Sequence, residues 1–134
     1  MRFKGIINPR LCQLLGSLGH RDMIAVADAG LPIPDERLRY DVSVVPNLPR
    51  FFDVLKPILE EIVVEKVIIP EEMKTVSPHV YNEIKSLEKL KDLPFEEVPL
   101  ERFKELTKSC KGIVRTGEFT PFALIILVCG VPFK

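Results

Sequence analysis

Apolar positions fall into short runs of two kinds along this chain, and the kinds alternate. Leu11, Leu14, Leu15 and Leu18 recur at three- and four-residue spacing between Asn8-Pro9 and Gly19, which predicts a helix from Pro9 to Leu18 with Asn8 as its N-cap. Met23 to Ala27 is a continuous apolar run closed by Asp28-Ala29-Gly30, the pattern of a strand buried on both faces. A short strand is expected at Asp41 to Val45. Asn47-Leu48-Pro49 opens a second helix to about Glu61, which Pro57 should kink or shorten. Val63 to Ile69 is rich in β-branched residues and reads as a strand stopped by Pro70. Ser77-Pro78 starts a helix through Leu90, and Leu100 to Lys108 forms a fourth. Gly112 to Arg115 and Leu124 to Val128 are the closing strands, with Thr116-Gly117-Glu118 in the loop between them. The alternation predicts an α/β fold of three layers, a mostly parallel or mixed sheet with helices on both faces. No linker and no repeat divides the sequence, so residues 1–134 read as one domain.

Composition narrows the function. The 134 residues carry 19 basic and 19 acidic side chains, a net charge of zero, which offers no cationic field for nucleic acid or an anionic membrane. With 46% apolar residues, 7% aromatic and no tryptophan, the core must be largely aliphatic. Cys12, Cys110 and Cys129 are an odd number without a CxxC pair, so they read as small buried hydrophobes in a reducing cytosol and not as a disulfide framework or metal site. The N-terminus develops no signal-peptide core, and the longest apolar run, Phe122 to Gly130, is too short to span a bilayer. A cytoplasmic protein is expected.

In sheets of this kind ligands collect beyond the carboxyl ends of the strands, which directs attention to Asp28-Ala29-Gly30 and to the loops around Thr116 and Phe122. The chain has two histidines. His20, in the turn before the first strand, is either a general acid and base or an ordinary loop residue. Asp28 either caps its own turn or holds a substrate. Gly16-Ser17-Leu18-Gly19 follows a helix, where a phosphate-binding loop requires a strand. His79, at a helix start, reads as solvent-facing, and the Lys- and Glu-rich stretch from Glu83 to Lys91 as a solvated helix face.

Three segments carry a resemblance: Gly19-His20-x-Asp22, then Asp28-Ala29-Gly30-Leu31-Pro32-Ile33-Pro34, then Arg115-Thr116-Gly117-Glu118-Phe119-Thr120-Pro121. Together they resemble the D-ribose pyranase family, which includes the fucose mutarotases, from the first helix to the last strand. The resemblance implies a cytoplasmic, cofactor-free and metal-free isomerase, assembled as a ring-shaped homo-oligomer, commonly a decamer. Such an enzyme interconverts pyranose and furanose forms of ribose so that a kinase receives the furanose. It places the proton-donating histidine on His20 and the substrate-binding aspartate on Asp28. It also sets Leu100, Phe122 and Leu124 where the family usually has His, Tyr and Asn. Phe122 keeps a ring that can pack against a sugar face but has no hydroxyl, and Leu124 can make no side-chain hydrogen bond. Arg102 or Lys104 could compensate.

Ring opening needs the anomeric hydroxyl proton removed and the ring oxygen protonated, work that one imidazole can do in turn. If residues 23 to 27 form a straight strand with extended flanks, His20 and Asp28 stand up to roughly 25 Å apart. The expectation is therefore a site shared between neighbouring subunits, one giving His20 and the other Asp28. Function is expected to be pyranose–furanose interconversion of D-ribose or a similar monosaccharide by acid–base ring opening. The alternative is a non-catalytic oligomeric ring that binds a sugar or a partner protein.

Overall fold

The computed structural model describes residues 1–133. In chain order the elements are α1 (Pro9–Gly16), β1 (Met23–Ala27), a 3-10 turn at Glu36–Leu38, β2 (Arg39–Asp41), α2 (Phe51–Leu59), β3 (Val64–Pro70), α3 (Met73–Val76), α4 (Pro78–Ser86), β4 (Phe95–Val98), α5 (Leu100–Thr107), β5 (Gly112–Arg115) and β6 (Ile125–Cys129). The strands form a single mixed sheet in the order β2-β5-β1-β6-β3-β4. β6 runs antiparallel to both β1 and β3, and the remaining neighbours are parallel.

Helices cover both faces, unequally. The pleat of β1 sends Ile24 and Val26 to one face and Ala25 and Ala27 to the other. On the first face α1, α2, α3 and α4 pack against Ile24, Val26, Val67, Ile69, Val114, Ile125 and Leu127. On the second, α5 inserts the fully buried Phe103 against Ala25, Ala27, Ile68, Ile113 and Ile126. The two alanines leave room for that ring. The start of α5 is fixed by the Glu72 carboxylate, which accepts the Leu100 N–H at 3.1 Å and satisfies one of the helix's free donors.

Several boundaries differ from those the pattern predicts, each for a local reason. α1 begins as expected, with Asn8 Oδ1 accepting the Arg10 and Leu11 N–H groups, but stops at Gly16 and not Leu18. Ser17 ends it, donating its hydroxyl to the Leu14 carbonyl at 2.7 Å. β2 covers Arg39–Asp41 and not Asp41 to Val45, because Asp41 turns the chain by accepting the Ser43 N–H. Val45 and Leu48 then close a tight turn in which Asn47 takes φ 63°. That turn delays α2 to Phe51, and Pro57 lies inside the helix, where it leaves the Asp53 carbonyl without its usual donor, and the helix ends two residues later at Leu59.

Pro70 is the last residue of β3 and does not lie beyond it; the β6 ladder has already ended at Ile68, so no neighbour on that side needs its N–H. The helix expected from Ser77 to Leu90 stops at Ser86, where Leu87 turns extended. The short α3 and the strand β4 were not foreseen. β4 is an acidic edge strand, Phe-Glu-Glu-Val, with Glu96 paired to Lys66 of β3 at 2.6 Å, and edge strands carry charge where central ones carry apolar runs. α5 and β5 lie where the pattern puts them, and β6 is displaced by one residue.

Candidate active site

The chain leaves β1 through a turn built on Asp28, whose Oδ1 accepts the Gly30 and Leu31 N–H groups at 3.0 Å each. Turn capping is thus one of its roles. The carboxyl also borders a cavity of about 550 Å³ at this end of the sheet, lined among others by Leu31, Leu100, Lys104, Phe122 and Leu124. Burial, the main influence, pushes the Asp28 carboxyl above the usual carboxylate range, and the nearby Glu118 charge adds to it. Backbone N–H groups of Gly30, Leu31 and Phe122 pull the other way.

The opposite wall comes from the loop after β5. Arg115 donates from Nε to the Ala29 carbonyl at 3.1 Å and from Nη1 to Asp41 and Ser43 at 3.0 and 2.8 Å. Thr116 donates its hydroxyl and its N–H to the Ala27 carbonyl at 2.8 and 3.0 Å. Gly117 passes so close to the Val45–Leu48 turn that a Cβ there would lie 2.6 Å from the Leu48 carbonyl oxygen, which requires glycine. Glu118 is buried and accepts from the Phe51 N–H, Arg50 Nη1 and the Thr120 N–H at 3.0, 2.9 and 3.2 Å. Burial works against its charge, but these donors and the Arg50 cation hold its carboxyl below the usual range. Phe122 follows with φ 60°, a left-handed conformation rare for a side chain of its size, and its ring packs toward the helix-rich face while bounding the cavity.

His20 lies elsewhere. It sits at the amino end of β1, half exposed, with Nε2 3.2 Å from Glu65 Oε1. Its turn is held by local bonds: Gly19 N–H to Asp22 Oδ2 at 2.7 Å, and Arg21, at φ 71°, donating its N–H to the Cys129 carbonyl at 2.8 Å. The five residues of β1 alone span about 16 Å, so Asp28 and Phe122 share a cavity and His20 does not reach it within one chain. His79 is exposed at the start of α4. Cys110 and Cys129 are buried, their thiols pushed up to about 12 and about 11, so neither is a thiolate at neutral pH. No group of three His, Cys, Asp or Glu side chains among the described residues is placed to hold a metal. No described helix is long and apolar enough to cross a membrane.

The sequence reading missed the part played by Glu118 as the residue joining this loop to α2. A carboxylate three residues beyond an apolar strand was the available signal. Its partners, 67 and 68 residues away in sequence, were not legible.

A three-layer α/β sheet with a small, largely apolar cavity at a strand's carboxyl end, bordered by the carboxyls of Asp28 and Glu118 and the cations of Lys104 and Arg115, defines a small-molecule binding protein. The family model described as RbsD / FucU transport protein family matches residues 1–132, and the chain belongs to that family. It is 48% identical over 134 residues, all of both chains, to a D-ribose pyranase of Geobacillus thermodenitrificans. It is 48% identical over 128 residues, 96% of each chain, to one of Coprothermobacter proteolyticus. The structure of Bacillus subtilis RbsD complexed with D-ribose superposes with a TM-score of 0.92 at 43% identity, covering 99% of this chain and 100% of that one. A fucose mutarotase from Streptococcus pneumoniae, in complex with L-fucose, shares the fold at 23% identity with a TM-score of 0.67 over 95% of both chains.

Proposed function

We propose that this protein is an isomerase that interconverts the pyranose and furanose forms of D-ribose or a closely similar monosaccharide. The observation that carries the reading is the Asp28 cavity in a chain that superposes on a ribose-bound relative over nearly its whole length. The reaction moves protons and no net electrons. The anomeric hydroxyl loses its proton and the ring oxygen gains one as its bond to the anomeric carbon breaks; another hydroxyl then closes the ring on the free aldehyde, giving up its proton as the carbonyl oxygen takes one. Asp28 holds the sugar by hydrogen bonds to its hydroxyls, and the Phe122 ring bounds the cavity. His20 is the proton donor and acceptor, a step typically contributing about 10²–10⁴-fold. It is delivered by a neighbouring subunit of a homo-oligomeric ring, a homodecamer in the family's usual form, because its own cavity lies a strand's length away. The protein works in the cytoplasm without a cofactor.

Two variants test the shared site. Measured by saturation-transfer NMR of ribose anomer exchange, His20→Ala and Asp28→Asn oligomers are each expected to lose activity, and oligomers reassembled from a mixture to regain part of it. A mixture that stays inactive sinks the shared site, and exchange unaffected by His20→Ala removes the enzyme reading. The apolar side chains of Leu100, Phe122 and Leu124 on the cavity favour a second reading, a non-catalytic ring that binds a sugar or a partner protein, which predicts ribose binding without faster exchange in the wild type.

A further inference from the structure

Glu118, on the cavity wall, is bonded through both its main chain and its carboxylate. Its main chain is tied to the exit of β1: the carbonyl accepts the Ala29 N–H at 2.9 Å, and the amide donates to Thr116 Oγ1 at 3.1 Å, a hydroxyl that itself donates to the Ala27 carbonyl. Its carboxylate, only 6% exposed, takes the first N–H of α2, the Arg50 guanidinium and the Thr120 N–H. One residue thus joins the turn carrying Asp28, the loop leading to Phe122 and the start of a helix on the far side of the sheet.

We propose that Glu118 is a positioning residue for ring opening: paired with Arg50, it fixes the Asp28 turn against the Thr116–Phe122 loop and sets the electrostatic field in which Asp28 meets the sugar. This rests on the ring-opening reading for its consequence but not for its geometry. The charged groups facing Asp28 are few. Glu118 comes from the loop after β5, Arg115 from β5 itself with its guanidinium spent on Ala29, Asp41 and Ser43, and Lys104 from α5, drawn toward Glu101 at 3.5 Å. Glu118 is the anion among them nearest in bonding to the Asp28 turn, and Arg50 is its counter-charge.

The pair gives a test with opposite signs. Glu118→Gln removes the anion, so the Asp28 carboxyl, followed by ¹³C NMR, is expected to titrate about 0.5 pH unit lower. Arg50→Gln strips the counter-charge and leaves the Phe51 and Thr120 bonds in place, so Asp28 is expected to titrate higher by a few tenths of a unit. The acid limb of ribose exchange should move with each titration, and KM should rise about three- to tenfold with kcat less affected, as for a residue acting through the group that binds. A purely structural role would lower stability in both variants and leave the Asp28 titration where it was. Shifts of the same sign, or none in folded Arg50→Gln protein, overturn the proposal. The expected titration shifts in a protein whose wild type shows no exchange would retain Glu118's hold on Asp28 and reject ring opening instead.

Discussion

The two ends of β1 each present a turn and a titratable side chain, yet they are built on different principles. At the carboxyl end, Asp28 is embedded in bonds that join residues 67 to 89 apart in sequence, through Thr116, Glu118 and Arg115. At the amino end, the long-range bonds are main-chain ones, tying Arg21 and Asp22 to Cys129 of β6, with a local bond from the Gly19 N–H to Asp22, and the half-exposed imidazole itself meets Glu65. The carboxyl end is a preorganised receptor whose side chains are tied to one another and to distant main chain, and such fixing is what makes binding groups effective. The amino end leaves an imidazole half in solvent, where it can be completed by another surface.

The difference has measurable consequences. The largest is expected at Gly117, where a Cβ would meet the carbonyl oxygens of Leu48 and Val45 at 2.6 and 2.8 Å. Gly117→Ala should cost about 3 kcal/mol in urea denaturation, because backbone must move to admit it. A cost below about 1 kcal/mol would show that the receptor end yields more easily than its bonding implies. Next comes the cavity wall. Leu100→His returns a donor and acceptor to a half-buried position beside Asp28 and is expected to tighten ribose binding about tenfold by calorimetry, the worth of one well-made hydrogen bond. Unchanged affinity would mean that the sugar does not reach this wall.

Protonation sharpens the contrast within the receptor end. Glu118 titrates below its ordinary 4.5, so its contribution to stability is present above that value and is lost as pH falls through the lowered one. Asp28 titrates above its ordinary 3.8, so its contribution has the opposite sign: stability declines as pH rises from 3.8 through the raised value. Asp28→Asn keeps an oxygen for the Gly30 and Leu31 N–H groups and removes the buried charge. Its melting temperature at pH 7 should therefore equal or exceed the wild type's while ribose binding falls, and a marked drop in melting temperature would contradict that sign. The smallest effect belongs to the amino end. Gly19→Ala meets only Asp22 Oδ2, at 3.6 Å, and should change stability by no more than about 0.5 kcal/mol.

What could be read from the sequence depends on whether a feature is made by neighbouring residues or by distant ones. β1, β5 and α5 were legible because each announces itself within its own residues, by a continuous apolar run or by helical spacing. Asp28 and Phe122 were picked out by the segments containing them, and β1's length already set His20 apart from Asp28. β4 was not legible because a charged edge strand carries no apolar run, and the Val45–Leu48 turn was hidden because the β-branched Val44 and Val45 at its start are exposed. The Glu118 connections depend on α2, β1 and the loop after β5 meeting in space, which no local pattern encodes.

The place of β6 has a consequence for the order in which the molecule can be assembled on the ribosome. It is the last strand in sequence and lies between β1 and β3, and four of the five strand ladders include β5 or β6. Only β3 and β4 can pair as the chain emerges. β1 and the Asp28 turn, though made early, wait without strand partners until β5 and then β6 have been translated, so the receptor end is among the last parts of the sheet to be completed.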